Sequence, residues 1–404
     1  MNELLTSSVV TFEALMVLEN QLIVSTKVNR KYDDKFGQDG AKIGDTISVR
    51  KPARWLGRRG WTMQPEAFVE TSVQIKLDHP FGIDCVFQTS ELLLQLDDFS
   101  NRVLGPQVSR LATMIDLFTT QLLGEGLAAA AGTPGTTPNT LLTYLQGQKL
   151  LAEASAPQDQ ERYMVVNTDM NITIVDALKS LFQAARQIEN QYETGRMGTD
   201  TAGYQWYNSE NIYVHTTGAQ GGTPLVNGAN QTGNTLVTDA WTAAAANRLA
   251  VGDRFQITDV YATNPASYQA TKTLRTFVCT QVGASDGSGN MTITFEPPLV
   301  GPGTAAQTVD SLPADNAPLI LVGAANTRTT QGLCFHRDVA ALVSADLPIP
   351  NNADMAARAA DDQVGISVAM VRDWNQTDRS FPTRTDVLIG GAITRQELGV
   401  VIQA

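Results

Sequence analysis

Arg384-Thr385-Asp386-Val387-Leu388-Ile389-Gly390-Gly391-Ala392-Ile393-Thr394-Arg395-Gln396-Glu397-Leu398-Gly399-Val400-Val401-Ile402 is the stretch that decides the reading of this chain. It predicts two strands, Thr385–Ile389 and Leu398–Ile402. Arg384, Asp386, Leu388 and Gly390 recur at every second position across the first. Upstream, Gly365–Val371 predicts a further strand, and helical patterning is expected around Val339–Val343.

Further toward the N-terminus, residues 43–88 read as a long two-stranded excursion. Val69, Thr71, Val73, Ile75 and Leu77 alternate with Glu70, Ser72, Gln74 and Lys76, the period of a half-buried strand. Ile47–Lys51 is its expected partner. The connection carries Arg54, Trp55, Arg58, Arg59 and Trp61, with Gly57 and Gly60 between them. Cations interleaved with aromatics suit single-stranded nucleic acid. In an acidic chain, docking on an acidic patch of a neighbouring copy is the preferred reading.

Residues 106–123 predict one helix. Pro106 suits its first position, and Leu111, Ile115, Phe118 and Leu122 form a single stripe. Gly124 and Gly126 are expected to stop it, and Ala128–Asn139, with two prolines, to be a loop. A second helix is predicted over Ile174–Asn190. Near the N-terminus Leu4, Leu5, Val9, Phe12, Leu15, Met16 and Leu22 recur at helical spacing, with Glu3, Glu13 and Glu19 between them. Either a surface helix or an arm packed on a neighbour fits that pattern.

From Gly218 to Thr327 the composition changes, with 4 Lys+Arg and 7 Asp+Glu in 110 residues. Strands are predicted at Phe255–Val260, Thr273–Val282, Met291–Phe295 and Leu319–Val322, with Gly283–Asn290 as a hairpin turn. The region reads as an all-β insertion, a small barrel.

The chain has 404 residues, 43% hydrophobic and 17% charged, with a formal charge of −12. The length implies more than one folding unit. The charged fraction is below the roughly 25% of ordinary soluble domains, as suits a surface buried against copies of itself. An acidic chain lacks the basic footprint that phosphate backbones demand. Cys85, Cys279 and Cys334 are scattered and give neither a disulfide framework nor a metal-ligand spacing. Folding in a reducing cytoplasm is expected. No basic residue precedes Lys27, so no secretory signal is expected. No apolar run reaches the ~18 residues of a membrane span.

No catalytic constellation is present in the sequence. His79, His215 and His336 stand in unrelated contexts, and no zinc-protease, nucleophile-elbow or Walker pattern occurs. The Gly218–Asn234 run has no lysine and reads as an exposed loop. Asp33-Asp34, Asp97-Asp98 and Asp361-Asp362 read as solvated turns, and His336 as a structural hydrogen-bonding residue. No catalytic residue, cofactor or metal site is expected.

Taken in order, these segments resemble tailed-phage major capsid proteins of the Hong Kong 97-like fold. The excursion and helix are similar to the E-loop and spine helix of that α+β fold. Leu333-Cys334-Phe335-His336-Arg337-Asp338-Val339-Ala340 looks like the axial-domain segment. The Arg384/Asp386/Leu388/Gly390 set resembles the final peripheral-domain strand. Ala250-Val251-Gly252-Asp253-Arg254-Phe255 and Met291–Pro297, with Gly60-Trp61, resemble the short-tailed Salmonella-phage-type coat proteins that carry an insertion domain.

The resemblance implies an N-terminal arm at 1–38, an E-loop at 39–88 and a peripheral domain with spine helix at 89–150. Axial-domain parts follow at 151–217 and 328–375, around a β-barrel insertion at 218–327, and the last peripheral strands lie at 376–404. It implies a shell of pentamers and hexamers, with a scaffolding protein, a portal protein and double-stranded DNA packaged without sequence-specific binding. It implies no membrane, and assembly in the host cytoplasm into a virion. Arg54, Trp55, Arg58, Arg59 and Trp61 are the expected intersubunit tip, and Glu3, Glu13 and Glu19 the expected scaffold contact. An encapsulin-like shell and a β-rich adhesin or carbohydrate-binding protein are the alternatives.

Overall fold

The computed structural model describes residues 11, 14–18, 21–30, 46–66, 71–88, 105–178, 202–350, 353–361 and 365–404. In chain order its elements begin with β1 (Thr46–Arg50), β2 (Ser72–Lys76), β3 (His79–Gln88), α1 (Gly105–Gly126), β4 (Ala130–Gly132) and α2 (Leu141–Glu153). Next come β5 (Arg162–Val166), α3 (Thr168–Leu178), β6 (Gln205–Asn208), β7 (Val214–Thr216), β8 (Gly222–Val226), β9 (Gly233–Trp241) and β10 (Ala246–Leu249). Then follow β11 (Arg254–Thr263), β12 (Ala270–Cys279), β13 (Gly283–Ser285), β14 (Met291–Leu299), β15 (Leu319–Leu321) and β16 (Arg328–His336). The last are β17 (Ala340–Ala345), β18 (Met355–Asp361), β19 (Ile366–Arg372), β20 (Ser380–Ile393) and β21 (Gly399–Gln403). The fold is mixed α+β and rich in sheet. None of the described helices is long and apolar enough to cross a membrane.

The chain divides into two compact units. The first comprises residues 1–50, 72–119 and 340–394. Its organiser is β20, the quoted stretch. One edge of β20 pairs with β3 along its length, from Ser380↔Gln88 to Ile389↔His79. The other edge is shared by β19 and then β17, antiparallel throughout. β1 and β2 pair, as expected for these two segments, and Ile47 stands opposite Ile75. Their inward residues Ile47, Val49, Ile75 and Leu77 pack with Ala341, Ala345 and Leu388. Residues 69 and 70 of the predicted strand lie outside the described residues.

The four recurring residues of β20 now have physical roles. The Arg384 guanidinium pairs with the Asp386 carboxylate on the outer face. Leu388 is fully buried. Gly390 sits so close to the Lys76 carbonyl that any Cβ would collide with backbone, so glycine there lets β2 pass over the sheet.

Residues 337–343 correct the sequence expectation. Arg337–Val339 is a single 3-10 turn, and Ala340–Ala345 is a strand, not a helix. Ala340, Ala341 and Leu342 are good helix formers, but a full ladder with β20 from Ala340↔Ile393 to Ala345↔Leu388 outweighs that intrinsic preference.

The second unit comprises residues 51–71, 120–339 and 395–404. One of its sheets has the order β4-β21-β16-β5-β6, with β7 also paired to β16. β21 is buried along its whole length, as an apolar strand covered on both faces should be. Gly147 of α2 approaches Ile402 and Cys334 of that sheet. β4 is a second correction, because Ala130–Gly132 was expected as loop. It pairs in parallel with Val401–Gln403, a contact too distant in sequence to read from local pattern.

The other large sheet has the order β15-β11-β12-β14-β9-β8. Its edges meet where Val226 N donates to Ala317 O (3.0 Å) and Asn316 N to Val226 O (2.8 Å). Phe255, Phe277 and Phe295 form its centre with ring separations of 5.1–5.6 Å. Each such ring contributes roughly 1.5–3 kcal/mol by burial. Gly283–Asn290 is more than the expected hairpin turn. Its first three residues form β13, paired with β10. The reversal itself is Asp286–Asn290, where the Asp286 carboxylate accepts from Ser288 N and Asn290 N at 2.8 Å each.

α1 begins as predicted but continues to Gly126, so Gly124 lies within it. Leu111 and Ile115 of the predicted stripe are fully buried. The predicted 174–190 helix starts earlier, at Thr168, and is described through Leu178.

Candidate functional site

Among the expected assembly residues, the loop 51–66 is described and its geometry is specific. Lys51 N donates to Thr71 O (2.8 Å), which closes its base. Leu56 N donates to the Glu66 carboxylate (3.0 Å). Arg58 turns back on its own tip and donates to the carbonyls of Gly60 and Thr62. Gly57 and Gly60 have φ of 71° and 123°, the left-handed region that glycine enters without strain. The folded tip leaves Trp61 wholly exposed, Met63 78% exposed and Trp55 half-exposed.

Arg54 is the one cation of the loop that forms an ion pair within the described chain, with Glu397 at 2.7 Å. Arg395 approaches the same carboxylate at 3.4 Å. Burial pushes the Glu397 carboxyl up, but Arg54, its backbone hydrogen bond and Arg395 outweigh burial and hold it below the ordinary 4.5. A depressed carboxyl contributes stability that is complete above 4.5 and is lost as pH falls through the folded value. Glu397→Gln should therefore lower the unfolding midpoint near neutral pH by the equivalent of about 1 kcal/mol or less. The gap to the native chain should narrow as pH falls below 4.5 and close once pH passes the depressed folded value. A gap that stays constant from neutral to acid pH would contradict the pair.

Asp159, Glu161 and His336 form a group whose ligand atoms lie within 4.8 Å of one another. The hydrogen bonding opposes a metal. His336 Nδ1 accepts from Asp338 N (3.2 Å), so Nε2 carries the proton and donates to Asp159 (3.1 Å). A metal on Nε2 would need the opposite tautomer. Glu161 is held by Arg337 at 3.0 Å. His336 is the structural hydrogen-bonding residue that its sequence context suggests.

One network was missed. His215, isolated in the sequence, has its Nε2 2.7 Å from Asp253 Oδ1, and both side chains are buried. Asp253 Oδ2 also accepts from Gly218 N (2.9 Å) and Ala250 N (2.8 Å). The neighbouring Arg254 is buried and donates to Gly124 O (2.6 Å) and Leu127 O (3.0 Å), the orphan carbonyls at the end of α1. Burial lowers its guanidinium to about 10, so it stays charged at neutral pH. The available signal was the pair Asp253-Arg254 inside a region almost free of charge.

Glu3, Glu13 and Glu19 lie outside the described residues, as do Asp33, Asp34, Asp97, Asp98 and Asp362. The described features are thus sheet-building motifs and one exposed, basic, aromatic loop.

Comparison with known proteins gives the class. The family model described as P22 coat protein, gene protein 5, matches residues 1–403. That is the class of capsid proteins, whose copies assemble into the shell of a virion, and this is a major capsid protein of a tailed phage. The chain belongs to the P22 coat protein family. Among solved structures it is similar to that of Mycobacterium phage Che8, with TM-score 0.48, 13% identity and coverage of 94% of this chain and 90% of the other. It is similar also to the mature capsid of bacteriophage PhiM1, with TM-score 0.45, 10% identity and coverage of 95% and 86%. The capsid of cyanophage P-SCSP1u follows, with TM-score 0.43, 10% identity and coverage of 90% and 84%. No curated relative matches the chain.

Proposed function

We propose that the chain builds an icosahedral shell of pentamers and hexamers around packaged double-stranded DNA and has no catalytic role. The observation that carries this reading is the family match over residues 1–403. In this reading the fold is Hong Kong 97-like. Residues 1–38 form an arm, 39–88 the E-loop, 89–150 the peripheral domain with spine helix, and 151–217 with 328–375 the axial domain. Residues 376–404 return to the peripheral domain. Residues 218–327 are an inserted barrel, a reading supported by the meeting of β8 with the chain just before β15. A scaffolding protein and a portal protein take part, and assembly proceeds in the host cytoplasm. The encapsulin-like and adhesin alternatives are not favoured.

Copies of one chain that meet head to tail close into rings when the rotation permits. The loop bearing Arg54, Trp55, Arg58, Arg59 and Trp61 is the intersubunit contact in this reading. Electron microscopy of the purified chain, alone and with its co-expressed neighbours, should show closed shells. A monodisperse monomer under all those conditions would overturn the reading.

Glu3, Glu13 and Glu19 are the proposed contact for a basic scaffold end. Reversing the three charges should cut procapsid yield, with an effect that shrinks as salt screens the native attraction. An unchanged yield at low salt would remove this contact.

A further inference from the structure

Three arginines from separate stretches of the second unit meet at one carboxylate. Arg54 Nη2 lies 2.7 Å from Glu397 Oε1, and Arg395 Nε lies 3.4 Å from the same oxygen. Arg275, on β12, is the third. The hairpin of β11 and β12 reaches the loop where Tyr268 Oη donates to Trp55 O (3.1 Å), one residue beyond Arg54. Burial lowers the Arg275 guanidinium to about 10, Glu397 opposes that fall and Arg54 adds to it. Arg275 is therefore charged at neutral pH and stands in the field of both. All four residues belong to one compact unit.

The cluster carries three positive charges against one negative, in a chain of formal charge −12. On the same face of β12, two residues from Arg275, Thr273 Oγ1 accepts from Lys149 Nζ (3.0 Å), a cation already balanced by Glu153 at 3.4 Å. Arg275 Nε is buried and has no hydrogen-bond acceptor among the described residues, whereas buried donors are otherwise almost always paired. The cluster is also open to water, because the Arg54 and Arg395 side chains are 35% and 31% exposed. Three guanidinium forks hold more N–H groups than one carboxylate can satisfy. A tetrahedral oxyanion with two charges matches the two uncompensated cations and offers several acceptor oxygens to planar forks.

We infer that Arg54, Arg275 and Arg395 form a binding site for a phosphate-class dianion, with Glu397 as the competing internal carboxylate. The site lies within one chain and does not depend on the shell reading. Free phosphate and a nucleic-acid backbone share this chemistry. The free dianion is the better match, because each backbone phosphodiester carries one charge rather than two.

The test is isothermal titration of the unassembled full chain with sodium phosphate, at an ionic strength held constant with sodium chloride. It should show one saturable site with Kd at or below about 1 mM. Arg275→Gln should weaken binding about tenfold or more, the worth of one charge-assisted bond. Lys272→Gln, an exposed charge on the same strand, should leave it within about twofold. Glu397→Gln should do the opposite of Arg275→Gln and tighten binding about fivefold or more, because the competing charge is gone. A purely structural ion pair would give no such gain, so this variant decides alone if Arg275→Gln does not fold. No saturable heat with either the native chain or Glu397→Gln, native affinity in Arg275→Gln, or weaker binding by Glu397→Gln would each overturn the inference. A second probe, single-stranded oligothymidylate without a terminal phosphate, separates the two sources. It should leave the bound phosphate in place; displacement that depends on Arg275 would overturn the free dianion and assign the site to a nucleic-acid backbone.

Discussion

Arg254→Ala should destabilise the unassembled subunit by roughly 3–5 kcal/mol, the cost typical of removing one partner from a buried charged network. The guanidinium is buried, and its fork reaches Gly124 O and Leu127 O, with Gly252 O at 3.4 Å. Alanine would leave Leu127 O without this donor, Gly124 O with only the Gln331 amide at 2.9 Å, and the Gln331 side-chain oxygen without the guanidinium at 3.2 Å. Each orphaned group costs about 1–3 kcal/mol. The substitution would also take the compensating cation from beside Asp253. Arg254→Lys retains the charge but replaces a planar fork with a single head, so it should recover less than half of the loss. Urea unfolding of the unassembled chain measures both. A shift of Arg254→Ala below the equivalent of about 1 kcal/mol would mean that water replaces the guanidinium and that the network is ornamental to stability.

Asp116→Ala should have the second-largest effect, roughly 3–4 kcal/mol. The Asp116 carboxylate is 1% exposed and accepts three hydrogen bonds from the N-terminal segment. Ile23 N donates to Oδ2 (2.8 Å), and Ser25 N (2.9 Å) and Ser25 Oγ (2.7 Å) donate to Oδ1. Ser25 Oγ also lies 2.9 Å from Thr119 Oγ1, one turn along α1. Charge-assisted bonds of this kind are about twice as strong as neutral ones. Asp116→Asn keeps one acceptor oxygen and should cost about half as much. The specific readout is proteolysis, because the segment around Ile23–Ser25 loses its anchor and should be cut faster than the rest of the subunit. Equal cutting rates in the native and Asp116→Ala chains would show that the segment is held by its apolar contacts instead.

Much of this architecture was legible because it is local. The 2.0 period of residues 71–77 foretold a strand, and Ile47–Lys51 is the partner it pairs with. The Leu111/Ile115 stripe foretold α1, and the strand runs between 255 and 322 foretold most of the second large sheet. What was not legible depends on partners far away in sequence. Ala340–Val343 carries helix-compatible residues, and only the ladder with β20 makes it a strand. Ala130–Gly132 has no strand pattern and is extended because Val401–Gln403 lies beside it. His215 and Asp253 are 38 residues apart and meet only once the intervening sheet folds. At the loop tip, sequence showed the cations, but not that Arg54 finds Glu397 and Arg58 its own backbone.

The long pairing of β3 with β20 also sets a timetable. β3 leaves the ribosome about 300 residues ahead of the strand that completes its ladder. At ~5–20 residues per second that is a wait of roughly 15–60 s. Throughout it, a ten-residue strand has an unfilled edge, the form of backbone most ready to pair with the wrong chain. A protein made in many copies at once thus passes through its most adhesive state during synthesis, before any shell exists to bury it. Temperature-sensitive failures should therefore collect in substitutions that slow the arrival of β20, and they should appear as nascent-chain aggregates while finished particles stay sound.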